Sequence, residues 1–159
     1  MRIWRFVPGE AIGPLRIGMK REEVRRILGE PSAVRAARQQ RGISFPETDY
    51  FWENSLQITY AQDRVDFIGA NRGGPFDLLW EERSLFSTRF TEITEAIARR
   101  TPVDTTDTEY PTTWRFPAWG LCLWRSCSEE DIEPELRAAG DLSGIFADQV
   151  SLVAPTVSR

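Results

Sequence analysis

At 159 residues and 18.2 kDa, with 41% apolar content and six Trp, the chain is long enough to bury its own core, as one domain or two packed half-domains. Its net charge of −4 disfavours general nucleic-acid binding, because attraction to phosphate needs a positive face. No His is present, which removes the commonest general base and metal ligand and any Ser-His or Cys-His nucleophile.

Ile3 to Val7 alternates in character and predicts a short strand, stopped by Pro8-Gly9. Arg5 interrupts that stretch, so no secretory apolar core is expected, and no run approaches the roughly 18 apolar residues of a membrane span. The expected location is the cytoplasm. Lys20 to Leu28 places Val24, Ile27 and Leu28 at i, i+3 and i+4, a narrow stripe for a helix lying on a sheet. Glu22 is expected to pair with Arg25 and Arg26 on its surface, and Gly29 with Pro31 ends it. Arg35, Arg38 and Arg41 fall in a polar stretch expected to be solvated. Strands are predicted near Ile43-Phe45, Tyr50-Trp52, Leu56-Tyr60 and Val65-Ala70, with Ala61-Gln62-Asp63 as the loop between the last two.

Asn71-Arg72-Gly73-Gly74-Pro75 is the strongest punctuation and predicts the junction of two halves, residues 1–72 and 73–159 in one compact unit. The second half opens with a segment from Phe76 to Trp80 and a helix from about Thr88 to Arg99, with Ser87 or Thr88 as its expected cap. Strands are expected around Thr113-Phe116, Leu121-Arg125 and Phe146-Ala154. An acidic insertion, residues 126–144, separates the last two and carries a short helix beginning at Pro134.

The order repeats. Asp63-Arg64-Val65-Asp66-Phe67-Ile68 reads like Asp148-Gln149-Val150-Ser151-Leu152-Val153, and the segment around Trp52, Leu56 and Ile58 reads like that around Trp114, Leu121 and Leu123. The expected fold class is α+β: tandem αβββ repeats forming an antiparallel sheet with helices packed on one face. The matching positions of Trp52 and Trp114 argue for core packing.

Residues 10–31, Glu-Ala-Ile-Gly-Pro-Leu-Arg-Ile-Gly-Met-Lys-Arg-Glu-Glu-Val-Arg-Arg-Ile-Leu-Gly-Glu-Pro, carry a Gly-Met step into a helix ending in Leu-Gly-x-Pro. This pattern resembles the helical opening of the superfamily that joins the small lipoprotein of the barrel-assembly machine to the β-lactamase inhibitory protein. The resemblance implies a tandem unit of helix and strands, and a protein that acts by gripping another protein with its sheet.

Catalytic equipment is sparse. Cys122 and Cys127 offer at most two thiolates, short of a closed zinc site, and are expected to be reduced thiols. Neither a dinucleotide-binding nor a phosphate-cradling glycine loop is present. Asp77 and Glu81 beside Trp80 form a carboxylate pair of the kind glycosidases use, a pattern that arises easily by chance. The acidic cluster from Glu129 to Glu135 reads as a solvated face before a cation site, because it lacks the alternating ligands of a calcium loop. No catalytic residue, metal or cofactor is expected.

The expected function is therefore non-catalytic protein binding, as an immunity or inhibitor protein that neutralises a bacterial toxin or enzyme. Residues 47–159 hold ten Arg/Lys against twenty Asp/Glu, whereas residues 1–46 hold ten against four. An acidic second half suits a basic partner such as a toxin or nuclease. Trp80, Trp119, Trp124, Glu129, Glu130 and Asp131 are the expected contact residues, because exposed Trp is a typical interface anchor. The alternative reading is a small-molecule-binding or enzymatic α+β domain. Nucleic-acid binding through Arg35, Arg38 and Arg41 ranks last.

Overall fold

The computed structural model describes residues 1–155. Trp4 and Phe6 alternate with exposed neighbours and form β1 (Arg2–Val7), which is followed by the short β2 (Ala11–Ile12) and β3 (Leu15–Arg16). Helix α1 (Arg21–Leu28) buries Val24 and ends at Gly29, whose φ of 87° suits a residue without a Cβ. An exposed segment, β4 (Ala33–Arg35), β5 (Arg38–Gln40) and β6 (Ile43–Phe45), precedes β7 (Glu47–Phe51). β8 (Leu56–Ala61) and β9 (Arg64–Asn71) follow, joined by the expected tight turn at Gln62-Asp63, both in the left-handed region.

After the glycine-rich junction come β10 (Phe76–Trp80), β11 (Arg83–Ser84) and helix α2 (Phe90–Ala98). Phe90, Ile93 and Ile97 face the core. The expected Ser or Thr cap is absent: Arg89 occupies the N-cap position without a side-chain bond, and Ser84 Oγ instead accepts the amides of Phe86 and Ser87. β12 (Thr113–Phe116) and β13 (Leu121–Trp124) form a hairpin. The insertion carries α3 (Pro134–Ala138), and β14 (Gln149–Val153) closes the described chain.

The fold is α+β, as expected, but its strands form three sheets rather than one. A seven-stranded antiparallel sheet has the order β12-β13-β14-β9-β8-β7-β4, so β7–β9 and β12–β14 meet along β9 and β14. A five-stranded sheet, β11-β10-β1-β2-β3, contains a parallel pair, β1 with β10. Parallel neighbours need a long crossover, and here the segment from α1 through β9 supplies it. Trp4 of β1 stacks on Phe76 of β10 with centroids 4.8 Å apart, and Trp52 lies 5.9 Å from both. Among the described residues β5 and β6 pair only with each other.

Alternation assigns the two faces of the long sheet. Phe51, Leu56, Ile58, Ile68, Leu121, Leu123, Val150 and Leu152 belong to one continuous core cluster with Val24 of α1 and Ile93 of α2. Both helices therefore lie on this inner side; on the opposite, open side Trp124 is exposed while the small Thr48, Thr59, Thr113 and Ser151 are buried among their neighbours.

One polar group sits on the inner face. Asp49 is fully buried and accepts hydrogen bonds from Arg21 at 2.7 Å, Arg25 at 2.9 and 3.0 Å, and the Tyr60 hydroxyl at 3.0 Å. Arg25 thus reaches across to the sheet rather than pairing with Glu22, as the helix spacing suggested. Burial works against the Asp49 charge, but the bonds from Arg25, Arg21 and Tyr60 outweigh it and hold the carboxyl below its ordinary value of 3.8. Burial, then the charge of Asp49, pushes the Tyr60 phenol well above its usual range.

Replacing Asp49 with Ala is expected to lower stability by about 3 kcal/mol in urea titrations, because two guanidiniums lose their shared acceptor. A carboxyl with a depressed folded pKa stabilises above the unfolded value and stops doing so as pH falls through the folded one. The stability gap between the native chain and Asp49→Asn should therefore be full at neutral pH and close as pH drops below 3.8. A second prediction concerns Gly120, at φ 61°, where an added Cβ would lie 2.0 Å from the carbonyl oxygen of Val153. Gly120→Ala should cost roughly 2–4 kcal/mol, read from the same titrations, because backbone must move.

Candidate functional site

The open face of the seven-stranded sheet is built from the residues that alternate with the core. Strand register places them in cross-strand rows. One runs Arg115, Cys122, Ser151, Gly69, Gln57, Tyr50 and Ala33, across the whole sheet. A second runs Thr113, Trp124, Gln149 and Asn71. The third runs Val153, Phe67, Thr59, Thr48 and Arg35.

Gly69 at the centre has a packing reason. A Cβ there would lie 2.8 Å from a ring carbon of Phe67, so the Phe67 ring occupies the space a side chain would take. Beside it, Phe67, Arg115, Cys122, Trp124, Gln149 and Ser151 line a hollow of about 440 Å³. Gln149 donates to the Asn71 side-chain oxygen at 2.9 Å, fixing one polar corner. Arg115 is tied to Asp107 and lies 3.9 Å from Glu109. Burial opposes the Arg115 charge, but Asp107, together with Cys122 and Glu109, more than restores it, so the guanidinium stays protonated.

Cys122 and Cys127 are both free. Burial pushes the Cys122 thiol above its ordinary value, and the neighbouring Arg115 only partly offsets this. Such a thiol is a packing residue with latent reactivity.

The residues singled out from the sequence do not form one patch. Trp124 is 40% exposed and stands on the open face. Trp80 is buried at 5% exposure, its ring 5.7 Å from the half-buried Trp119, so it is not a surface anchor as expected. An alternating apolar strand, β10, turns Phe76, Leu78 and Trp80 inward together. Glu129 is half-buried and bound to Arg89, and Asp131 accepts the Ser128 amide at 2.8 Å in a capping box, which leaves Glu130 exposed. Trp52 and Trp114 are partly buried against the core.

The Asp77 and Glu81 carboxylates are engaged separately. Asp77 accepts from Ser84 at 2.6 Å and Glu81 pairs with Arg100 at 2.7 Å. Among the described residues no group of three or more His, Cys, Asp or Glu is placed to hold a metal ion, and no helix is long and apolar enough to cross a membrane.

Phe67, Tyr50, Cys122 and Arg115 were not anticipated as site residues. The available signal was an aromatic next to a buried aliphatic in β9: Phe67 precedes the fully buried Ile68, so its ring must point away from the core. Compared with protein-family models, with curated proteins and with solved structures, the chain matches none.

In a Cys127→Ser variant, iodoacetamide should label Cys122 more slowly than free cysteine at pH 7, with the rate rising as pH passes the thiol's ordinary 9.0. Mass spectrometry across a pH series checks this. A labelling rate that is already at its plateau at pH 7 would contradict the burial argument.

Proposed function

We propose that the protein is a non-catalytic binding module that holds another protein against the open face of its seven-stranded sheet, in the manner of an inhibitor or immunity protein. The observation that carries this reading is a seven-strand face opposite the helices, where the half-buried Phe67 and the 40% exposed Trp124 stand among hydrogen-bonding side chains. Six strand spacings of about 4.8 Å give a platform about 29 Å wide. That is the scale of a standard interface, about 800 Å² per partner. Aromatic anchors in a polar surround are the composition such interfaces favour.

The chain order supports a duplicated unit: α1 precedes β7–β9 and α2 precedes β12–β14, and the two sets pair at their last strands. Residues 10–31 resemble the superfamily in which such tandem units grip a partner protein. The cytoplasm is the proposed location. A toxin or other enzyme with a basic surface is the proposed partner, drawn to the acidic corner where Glu109 and the exposed Glu130, Asp131 and Glu133 lie in the chain segments flanking Trp124.

The test uses the tagged full chain recovered from its native cells. A stoichiometric protein partner should be retained by the native chain and by an Arg26→Glu control on α1. It should be lost by the double variant Phe67→Arg, Trp124→Arg, whose affinity is expected to fall at least roughly 30-fold. No stoichiometric partner, or one that survives the double variant, would sink the proposal.

A further inference from the structure

Between β4 and β7 the chain leaves the sheet as an exposed ribbon of β5 and β6, paired through Arg38 with Phe45, Gln39 with Ser44 and Gln40 with Ile43. Its tip is a two-residue turn with both central residues in the left-handed region, Arg41 at φ 53° and Gly42 at φ 77°. Asn, Asp or Gly is customary at the first of these positions. An arginine held there costs about 1 kcal/mol of backbone strain and places a cation at the tip.

Residues 33–46 contain Arg35, Arg38 and Arg41 and no carboxylate. The rest of the chain keeps 17 of the 20 Lys and Arg and all 24 Asp and Glu, so the ribbon is a positive arm on a negative body. None of the three arginines forms an ion pair among the described residues. Two lie over aromatic rings instead: the Arg38 guanidinium carbon is 4.7 Å from the Phe45 ring centroid and that of Arg35 is 5.7 Å from Tyr50. A guanidinium that rests on a ring rather than in an ion pair keeps donors for a carboxylate, and less rotamer freedom is lost when one binds. Val34 and Ile43, 56% and 59% exposed, add apolar surface alongside.

We propose that the β5–β6 ribbon is a clamp for a carboxylate-rich segment of the partner protein. This deepens the sheet-face reading and rests on it. The ribbon leaves the sheet beyond the row that ends at Arg35, at the edge strand β4. The acidic insertion leaves beyond Trp124, at the opposite end of the strands and toward the other edge. A platform with a positive corner diagonal to a negative one accepts a bipolar partner in one orientation. The exposed aliphatic side chains favour a protein surface over nucleic acid, and the body's negative charge repels a polyanionic backbone.

The probe is a fluorescein-labelled oligoglutamate, followed by anisotropy on the full-length chain at low and high salt. Saturable, salt-sensitive binding is expected, weakened roughly tenfold in Arg38→Glu, Arg41→Glu. Arg41→Asn, a residue that suits the turn, should weaken binding by roughly threefold while Tm holds or rises as the strain is relieved. The face variant Phe67→Arg, Trp124→Arg should bind the probe as the native chain does, so failure of the arm and failure of the face are read separately. Absence of saturable binding, binding that the ribbon variants retain, or tighter binding of single-stranded DNA at equal salt overturns the proposal.

Discussion

The backbone ladder between β9 and β14 carries the rest of the architecture. It joins Asn71 to Gln149, Ala70 to Val150, Gly69 to Ser151, Ile68 to Leu152 and Phe67 to Val153, and among the described residues no other antiparallel pair links the first half of the long sheet to the second. Because side chains alternate, slipping β14 by one residue against β9 would turn Val150 and Leu152 outward and bring Ser151 into the core while Ile68 still points inward. The register is pinned at one end, where Arg72 donates its amide to the Asp148 carbonyl and its guanidinium to the Asp148 carboxylate, both at 2.9 Å. Core, open face and the row through Gly69 all follow from that one alignment.

On the inner side, Asp49 does for α1 what the ladder does for the sheet. A helix of eight residues with one buried side chain has little apolar area with which to hold its place. Two guanidiniums sharing a buried carboxylate fix its rotation as well as its position, because Arg21 and Arg25 sit one turn apart on one side of the helix. The contact ties α1 to β7 and β8 on the inner side of the sheet. Both faces are thus built from the same strands: Tyr50, between Asp49 and Phe51, and Thr59, between Ile58 and Tyr60, belong to the opposite face.

Much of this was legible from residue order. The core strands β8, β9, β12 and β13 and helix α1 lie within a residue or two of where alternation, Gly29 and the Gln62-Asp63 turn put them. Elements with no apolar stripe were not: β4 and β5 are exposed throughout, so nothing in Arg35 or Arg38 distinguishes a strand from a solvated loop. The parallel pairing of β1 with β10 depends on partners remote in the chain. Asp49 reads as one more polar residue until Arg21 and Arg25, 28 and 24 positions earlier, arrive beside it. Of the site, Trp124 was found because a large aromatic near a strand end is conspicuous. Trp80 misled for the same reason, since its inward direction is set by the alternation of β10 and not by its size.

Those remote pairings also govern how the chain must be made. Asn71 waits 78 residues for Gln149, and until then the edge of β9 has unpaired amides and carbonyls along its length. During synthesis at about 5–20 residues per second, that bare edge persists for several seconds on the ribosome. The sheet therefore completes only after nearly the whole described chain has emerged, and a polypeptide cut short before β14 would carry a sticky margin fit for chaperones or for aggregates.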